Sequence, residues 1–205
     1  MLPNGIRILT SSFRHTNAVS IIFLFGAGSR YETPELAGAS HLFEHMLFKG
    51  TPERPTPRAI SEVVEGVGGT LNAFTDREVT GYWCRLAQPN YRDGIDLLSD
   101  MTLNSIFREE DIAKEKQVVY EEIRASFDSP AARASMLLDD LLWPDQPMGR
   151  DIAGSVKSVE AISRDEMCKY LETQYVGSNT VIAIAGNIEH QDVVDQITNS
   201  LGSLH

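Results

Sequence analysis

The run Thr70-Leu71-Asn72-Ala73-Phe74-Thr75, followed by Asp76-Arg77-Glu78 and then Val79-Thr80-Gly81-Tyr82-Trp83-Cys84-Arg85-Leu86, reads as two strands joined by a polar turn. Both arms are rich in the Thr, aromatic and β-branched residues that suit a pleated surface. So short a connection joins only antiparallel neighbours, since parallel strands need a long crossover. Upstream, residues 6–10 alternate like a strand after the turn pair Asn4-Gly5, and residues 18–25 form a Val-, Ile- and Phe-rich strand broken by Gly26-Ala27-Gly28. Downstream, residues 180–185 make another apolar strand.

Helical spacing fills most of the remainder. Residues 36–48 carry Leu42, Phe43, Met46 and Leu47 on one side, with Gly50 as the stop. Thr56-Pro57 has the form of an N-cap followed by proline in the first turn, and Ile60, Val63, Val64 and Val67 continue it. Residues 91–106, 112–127 and 131–142 read as helices, the last ended by Pro144. Ser163 with Glu166 fits a capping box for a helix to about residue 175, and residues 193–201 form a final helix. Strand pairs and helices mix without regular βαβ alternation. The predicted fold is therefore α+β, a mostly antiparallel mixed sheet with helices packed on it. The proline-rich stretch 51–57 is too short for a linker, so residues 1–205 read as one domain.

Composition excludes several classes. With 205 residues, 42% apolar and 23% charged, the chain is neither disordered, collagen-like nor a coiled coil. Eighteen basic against 29 acidic residues leave a net charge of −11, which argues against nucleic-acid binding. No apolar run approaches the ~20 residues of a membrane span. The first residues lack the basic and apolar regions of a signal peptide, so a soluble, cytoplasmic protein is the default expectation. Cys84 and Cys168 stand far apart and outside any Cys-x-x-Cys pattern, and read as two reduced thiols.

The chemistry concentrates in His41-Leu42-Phe43-Glu44-His45. On a helix, residues four apart share a face, so two imidazoles can hold one metal ion from one rigid element. Glu44 sits on the neighbouring edge and can reach a water there without being a ligand. This is the zinc-peptidase motif with its internal order reversed. The same spacing also describes an ordinary solvent-facing histidine pair. A catalytic zinc usually takes three protein ligands, so a third is needed. Glu115 and Glu122 are seven residues, nearly two turns, apart and share a face with Val119, while Glu121 turns about 100° from Glu122 toward solvent. Taken alone, all three acids fit an ordinary amphipathic helix equally well.

The segment His41-Leu42-Phe43-Glu44-His45-Met46-Leu47-Phe48-Lys49-Gly50-Thr51 resembles the zinc site of the pitrilysin/insulinase metallopeptidases, most closely their processing-peptidase branch. Glu122 follows His45 by 77 positions, similar to the family's spacing to its glutamate ligand. Leu71-Asn72-Ala73-Phe74-Thr75 resembles the family's substrate-binding strand, Leu2-Pro3-Asn4-Gly5 its usual start and Ala185-Gly186-Asn187-Ile188 a usual strand end. The resemblance implies one zinc ion on His41, His45 and Glu122, with Glu44 as general base and Glu115 as an acid that supports the ligands. It implies an edge strand at 69–74 to which a peptide substrate adds through backbone hydrogen bonds. Asn72 and Ala73 would contact that peptide, and Phe48 and Phe74 would form an apolar side-chain pocket. For each phenylalanine core packing is an equally ordinary role, and Asn72 also suits a plain hairpin.

The resemblance also implies a partner. Family members carry two homologous domains that enclose the substrate, and this chain ends about where the first would end, so a second domain or subunit, from a homo- or hetero-oligomer, is expected to complete the chamber. Two other functions compete with the peptidase. One is a non-catalytic peptide-binding subunit, although such subunits tend to lose the zinc motif kept here. The other is the lyase that cleaves S-ribosylhomocysteine, which also uses a His-x-x-Glu-His helix but takes a cysteine as third ligand.

Overall fold

The computed structural model describes residues 1–204. Five strands form one sheet: β1 (Arg7–Ser12), β2 (Ala18–Phe25), β3 (Thr70–Thr75), β4 (Thr80–Ala87) and β5 (Thr180–Gly186). Their order is β1-β5-β2-β4-β3; only β1 and β5 run parallel, and the other neighbours are antiparallel. β3 is therefore an edge strand, paired on one side with β4 alone. The predicted mixed, mostly antiparallel α+β architecture is the one observed.

Among the described residues, eight α-helices accompany the sheet: α1 (Ala39–Leu47), α2 (Pro57–Glu65), α3 (Tyr91–Asn104), α4 (Glu109–Asp128), α5 (Pro130–Leu142), α6 (Val156–Ala161), α7 (Arg164–Gln174) and α8 (His190–Leu201). Strand alternation decides where the core lies. Val19, Ile21, Phe23 and Phe25 of β2, with Tyr82, Cys84 and Leu86 of β4 and Ile182 and Ile184 of β5, are buried under the helices. The intervening residues, including Leu9, Ile22, Phe74, Trp83 and Ala183, line an open apolar groove on the other face.

Helix α1 begins later than the predicted residue 36. Residues 34–36 form a separate 3-10 turn, and Gly38 then takes a left-handed φ of 95° as the N-cap. The free amides of the first turn are satisfied from a distance: a buried Glu32 carboxylate accepts hydrogen bonds from Gly38 N (2.8 Å), Ser40 N (2.6 Å) and Ser40 Oγ (2.6 Å). Because the Ser40 hydroxyl gives its proton to Glu32, the Tyr170 hydroxyl 2.7 Å away donates to Ser40 Oγ. An acid at this end also complements the helix dipole. Leu42, Phe43, Met46 and Leu47 are fully buried, so one face of α1 is fixed in the core.

Helix α6 is absent from the sequence-based expectation. Its six residues are capped by Ser155 and Ser158 reciprocally, and serine at the third position gives a weaker signal than glutamate. The box predicted at Ser163 and Glu166 does form.

Gly38 is where the site helix is most easily disturbed. A Cβ there would lie 2.5 Å from the Ala153 carbonyl oxygen and 2.9 Å from Val159 Cγ2, at a φ that side chains rarely adopt. Gly38→Ala is expected to destabilise the fold by about 2 kcal/mol or more. Urea unfolding checks this; wild-type stability would refute it.

Candidate active site

Burial of Leu42, Phe43, Met46 and Leu47 leaves His41, Glu44 and His45 on the flank of α1 that is not sunk in the core. Helix α4 packs beside α1 and turns one face toward it. Val119 on that face is fully buried and Glu115 nearly so, while Glu121 points outward and pairs with Arg124. The heptad spacing of Glu115 and Glu122 thus brings both acids to the histidine pair, as the helix period requires.

The distances define a three-atom cluster. His41 Nε2 lies 3.6 Å and His45 Nε2 3.7 Å from the same oxygen, Glu122 Oε2. Both are beyond hydrogen-bond range. One ligand atom from each of His41, His45 and Glu122 lies within 4.8 Å of the other two, the one such group of three or more among the described residues. The histidine side chains are mostly covered, whereas that of Glu122 is 46% exposed, so the cluster opens to solvent on the Glu122 side.

The two imidazoles are held differently. His45 Nδ1 lies 3.1 Å from Glu115 Oε2, and Glu115 Oε1 lies 2.7 Å from Lys49 Nζ. A carboxylate only accepts, so Nδ1 of His45 is the donor in this contact and its Nε2 faces Glu122. His41 Nδ1 is buried with no partner among the described residues, and packing alone fixes that ring. Burial, and secondly the neighbouring His45, push the His41 pKa down to about 4, so its imidazole is neutral near pH 7.

Glu44 reaches to the other side of α1. Thr75 Oγ1, at the end of β3, donates to Glu44 Oε2 at 2.5 Å. Burial raises the Glu44 pKa from the ordinary carboxylate range, with the Thr75 hydrogen bond and His45 opposing and Glu122 adding to the rise. Sequence reading did not single out Thr75 or Lys49. Lys49 lies just past the end of α1, and its reach back to Glu115 depends on the tertiary packing of α4, which spacing does not reveal. Thr75 depends on how β3 is turned, which spacing does not reveal.

The substrate-strand residues divide between the two faces of the sheet. Leu71, Ala73 and Thr75 face the helices; Asn72 and Phe74 alternate to the opposite face, where Phe74 lines the open groove. Asn72 Oδ1 accepts from the Ala73 amide at 2.8 Å. Phe48 lies on the helix side, 6.3 Å from the Tyr82 ring. The expected shared pocket of Phe48 and Phe74 is therefore not formed within this chain, because strand alternation puts the rings on opposite faces. Cys84 is buried, its thiol pushed up to about 12 by burial, and neither it nor Cys168 joins the histidine cluster.

The donor set fits zinc. Tetrahedral coordination at 2.0–2.2 Å spaces ligand atoms roughly 3.3 Å apart, close to the 3.6 and 3.7 Å observed. Two imidazoles and one carboxylate, with a solvent-open side, match a catalytic site that keeps a free position. The neutral His41 also has a consequence for the metal-free protein. Its folded pKa of about 4 lies below the ordinary histidine value of 6.5, so the stability it contributes is complete above about pH 6.5 and is lost as pH falls through 4. The loss is on the order of 3 kcal/mol. Metal-free His41→Gln should lack this component; identical pH dependence of urea unfolding in wild type and variant would refute it.

Comparison with known proteins places this geometry in a lineage. A family model described as insulinase, peptidase family M16, matches residues 7–156, and one described as peptidase M16 inactive domain matches residues 161–205. An uncharacterized zinc protease of Rickettsia bellii is 37% identical over 203 residues, 99% of this chain and 49% of that protein. The mitochondrial-processing peptidase subunit beta of Dictyostelium discoideum is 32% identical over 209 residues, 99% of this chain and 43% of that protein. A protease structure from Helicobacter pylori superposes with a TM-score of 0.93 at 23% identity, covering 99% of this chain and 49% of that one. The chain spans about half the length of the relatives it matches, and it belongs to the insulinase family of zinc peptidases, M16.

Proposed function

We propose that the chain is the metal-bearing part of a zinc endopeptidase that hydrolyses peptides or unfolded segments. The observation that carries this reading is the convergence of His41 Nε2, His45 Nε2 and Glu122 Oε2, with the Glu44 carboxylate beside them on the same helix. His41, His45 and Glu122 would hold one zinc ion. When bound, the ion supplies Lewis acidity that polarises a peptide carbonyl and makes a water easier to deprotonate.

The chain's own residues supply the proton transfers. Glu44 Oε2 is tied by the Thr75 hydroxyl, which leaves Oε1 to take a proton from the attacking water. The same carboxyl can pass that proton to the leaving amine. Glu115 orients His45 from behind. The free edge of β3, whose last residue holds Glu44, is where an extended peptide would pair, with Ala73 offering backbone groups.

The family's two-part architecture supports a second M16-type domain or subunit as partner, and the beta-subunit relative is in keeping with it. Charge and composition favour neither nucleic acid nor membrane as partner, and none of the described helices is long and apolar enough to cross a bilayer.

Zinc titration with two variants tests the assignment. Glu44→Gln should bind zinc as tightly as wild type, yet lose at least about 100-fold in peptide turnover when combined with the second unit. Glu122→Gln should weaken zinc by more than about 100-fold, beyond the usual effect of a supporting group. Unchanged turnover in the first, or wild-type affinity in the second, would remove the corresponding role.

A further inference from the structure

Among the described residues, Lys49 is the one cation that touches the histidine-facing acid. Its Nζ lies 2.7 Å from Glu115 Oε1, and the side chains are 22% and 11% exposed. The opposite oxygen of the same carboxylate meets His45 Nδ1 at 3.1 Å. The two contacts use different oxygens, so Lys49 fixes how the carboxylate plane is turned toward His45. The bridge is anchored at both ends. Lys49 follows His45 by one helical turn, its amide bonds to Met46 O at 3.1 Å, and the next residue's carbonyl, Gly50 O, accepts from Ile106 N at 2.9 Å just before α4 begins. Glu115 belongs to α4 itself.

We propose that Lys49 is a positioning residue: by holding Glu115 Oε1 it keeps Oε2 on His45 Nδ1–H and so fixes which imidazole nitrogen faces Glu122. The reading builds on the assignment of His45 as a zinc ligand. The asymmetry between the imidazoles supports it, since His41 Nδ1 has no such partner and only His45 is oriented by a charged pair. A lysine near a helix C-terminus also complements the helix dipole, so a purely structural role would show in stability alone.

The test uses the 205-residue chain, as wild type, Lys49→Met and Lys49→Arg. Long-range 1H–15N NMR on the metal-free protein reads the His45 tautomer, and chelator competition reads zinc affinity. Wild type should show His45 protonated at Nδ1. Lys49→Met should populate the other tautomer and weaken zinc by about 10-fold. Lys49→Arg, which keeps a cation within reach, should restore both to within about threefold. A wild-type His45 protonated at Nε2 would overturn the proposal without recourse to any variant, even if Lys49→Met did not fold. So would a folded Lys49→Met with an unchanged tautomer and zinc affinity, even where its melting temperature falls. Wild type that binds no zinc would instead overturn the ligand assignment, and the tautomer measurement would still decide the role of Lys49.

Discussion

The packing of α4 against α1 is the contact on which the site depends. Val119, fully buried between Glu115 and Glu122 in the helical sequence, sets the rotation of α4. One residue of slip would turn that helix by about 100° and carry both acids away from the histidines. The partner surface is equally fixed, because Leu42, Phe43, Met46 and Leu47 commit α1 to one orientation in the core. Burying such side chains contributes about 1.5–3 kcal/mol each, whereas an exposed ion pair contributes at most about 1. Apolar packing therefore positions the polar groups, and the polar groups refine what packing has already placed.

The ends of α1 are secured by long-range polar contacts. Glu32 closes the N-terminal end from six residues before Gly38, backed by Ser40 and by Tyr170 of α7. At the other end Ile106 N donates to Gly50 O, just past α1. The sheet completes the frame through β3 and Thr75. The two matched family segments, 7–156 and 161–205, do not correspond to separate sheets: β5, from the second, lies between β1 and β2 of the first. The strand beside the buried face of β2 thus comes from the far end of the chain, and the frame under α1 needs both segments.

How much of this was legible in the sequence follows the range of each signal. β2 and β3 were readable to the residue because side-chain alternation is local. The α1 and α4 constellations were readable because a helix fixes which residues share a face. The start of α1 was not, since its cap is Glu32, whose role depends on a tertiary contact rather than on the usual serine or aspartate at the cap position. The direction of Asn72 and Phe74 was equally hidden. Alternation says that they point away from Ala73 and Thr75, but only the packing of α1 and its neighbours against the sheet says which side holds the site. Thr75 was missed for the same reason.

The charge distribution explains why the cluster suits a divalent cation. Glu115 and Glu122 meet the two imidazoles, Glu44 lies beside them on α1, and Lys49 is the cation that meets one of these acids directly. Burial, and less strongly repulsion from Glu122, raises the Glu44 pKa. A dication between the histidines and Glu122 would relieve that repulsion and favour the ionised, proton-accepting form of Glu44, so the same event would complete the ligand set and ready the base. Because the ligands come from two helices and Glu122 lies 77 residues beyond His45, the unfolded chain holds no equivalent site. Binding then acts as folding free energy, about 2.7 kcal/mol when free metal stands at 100 times its dissociation constant. The packing that gathers the three donor groups is thereby also one that a bound ion would reinforce.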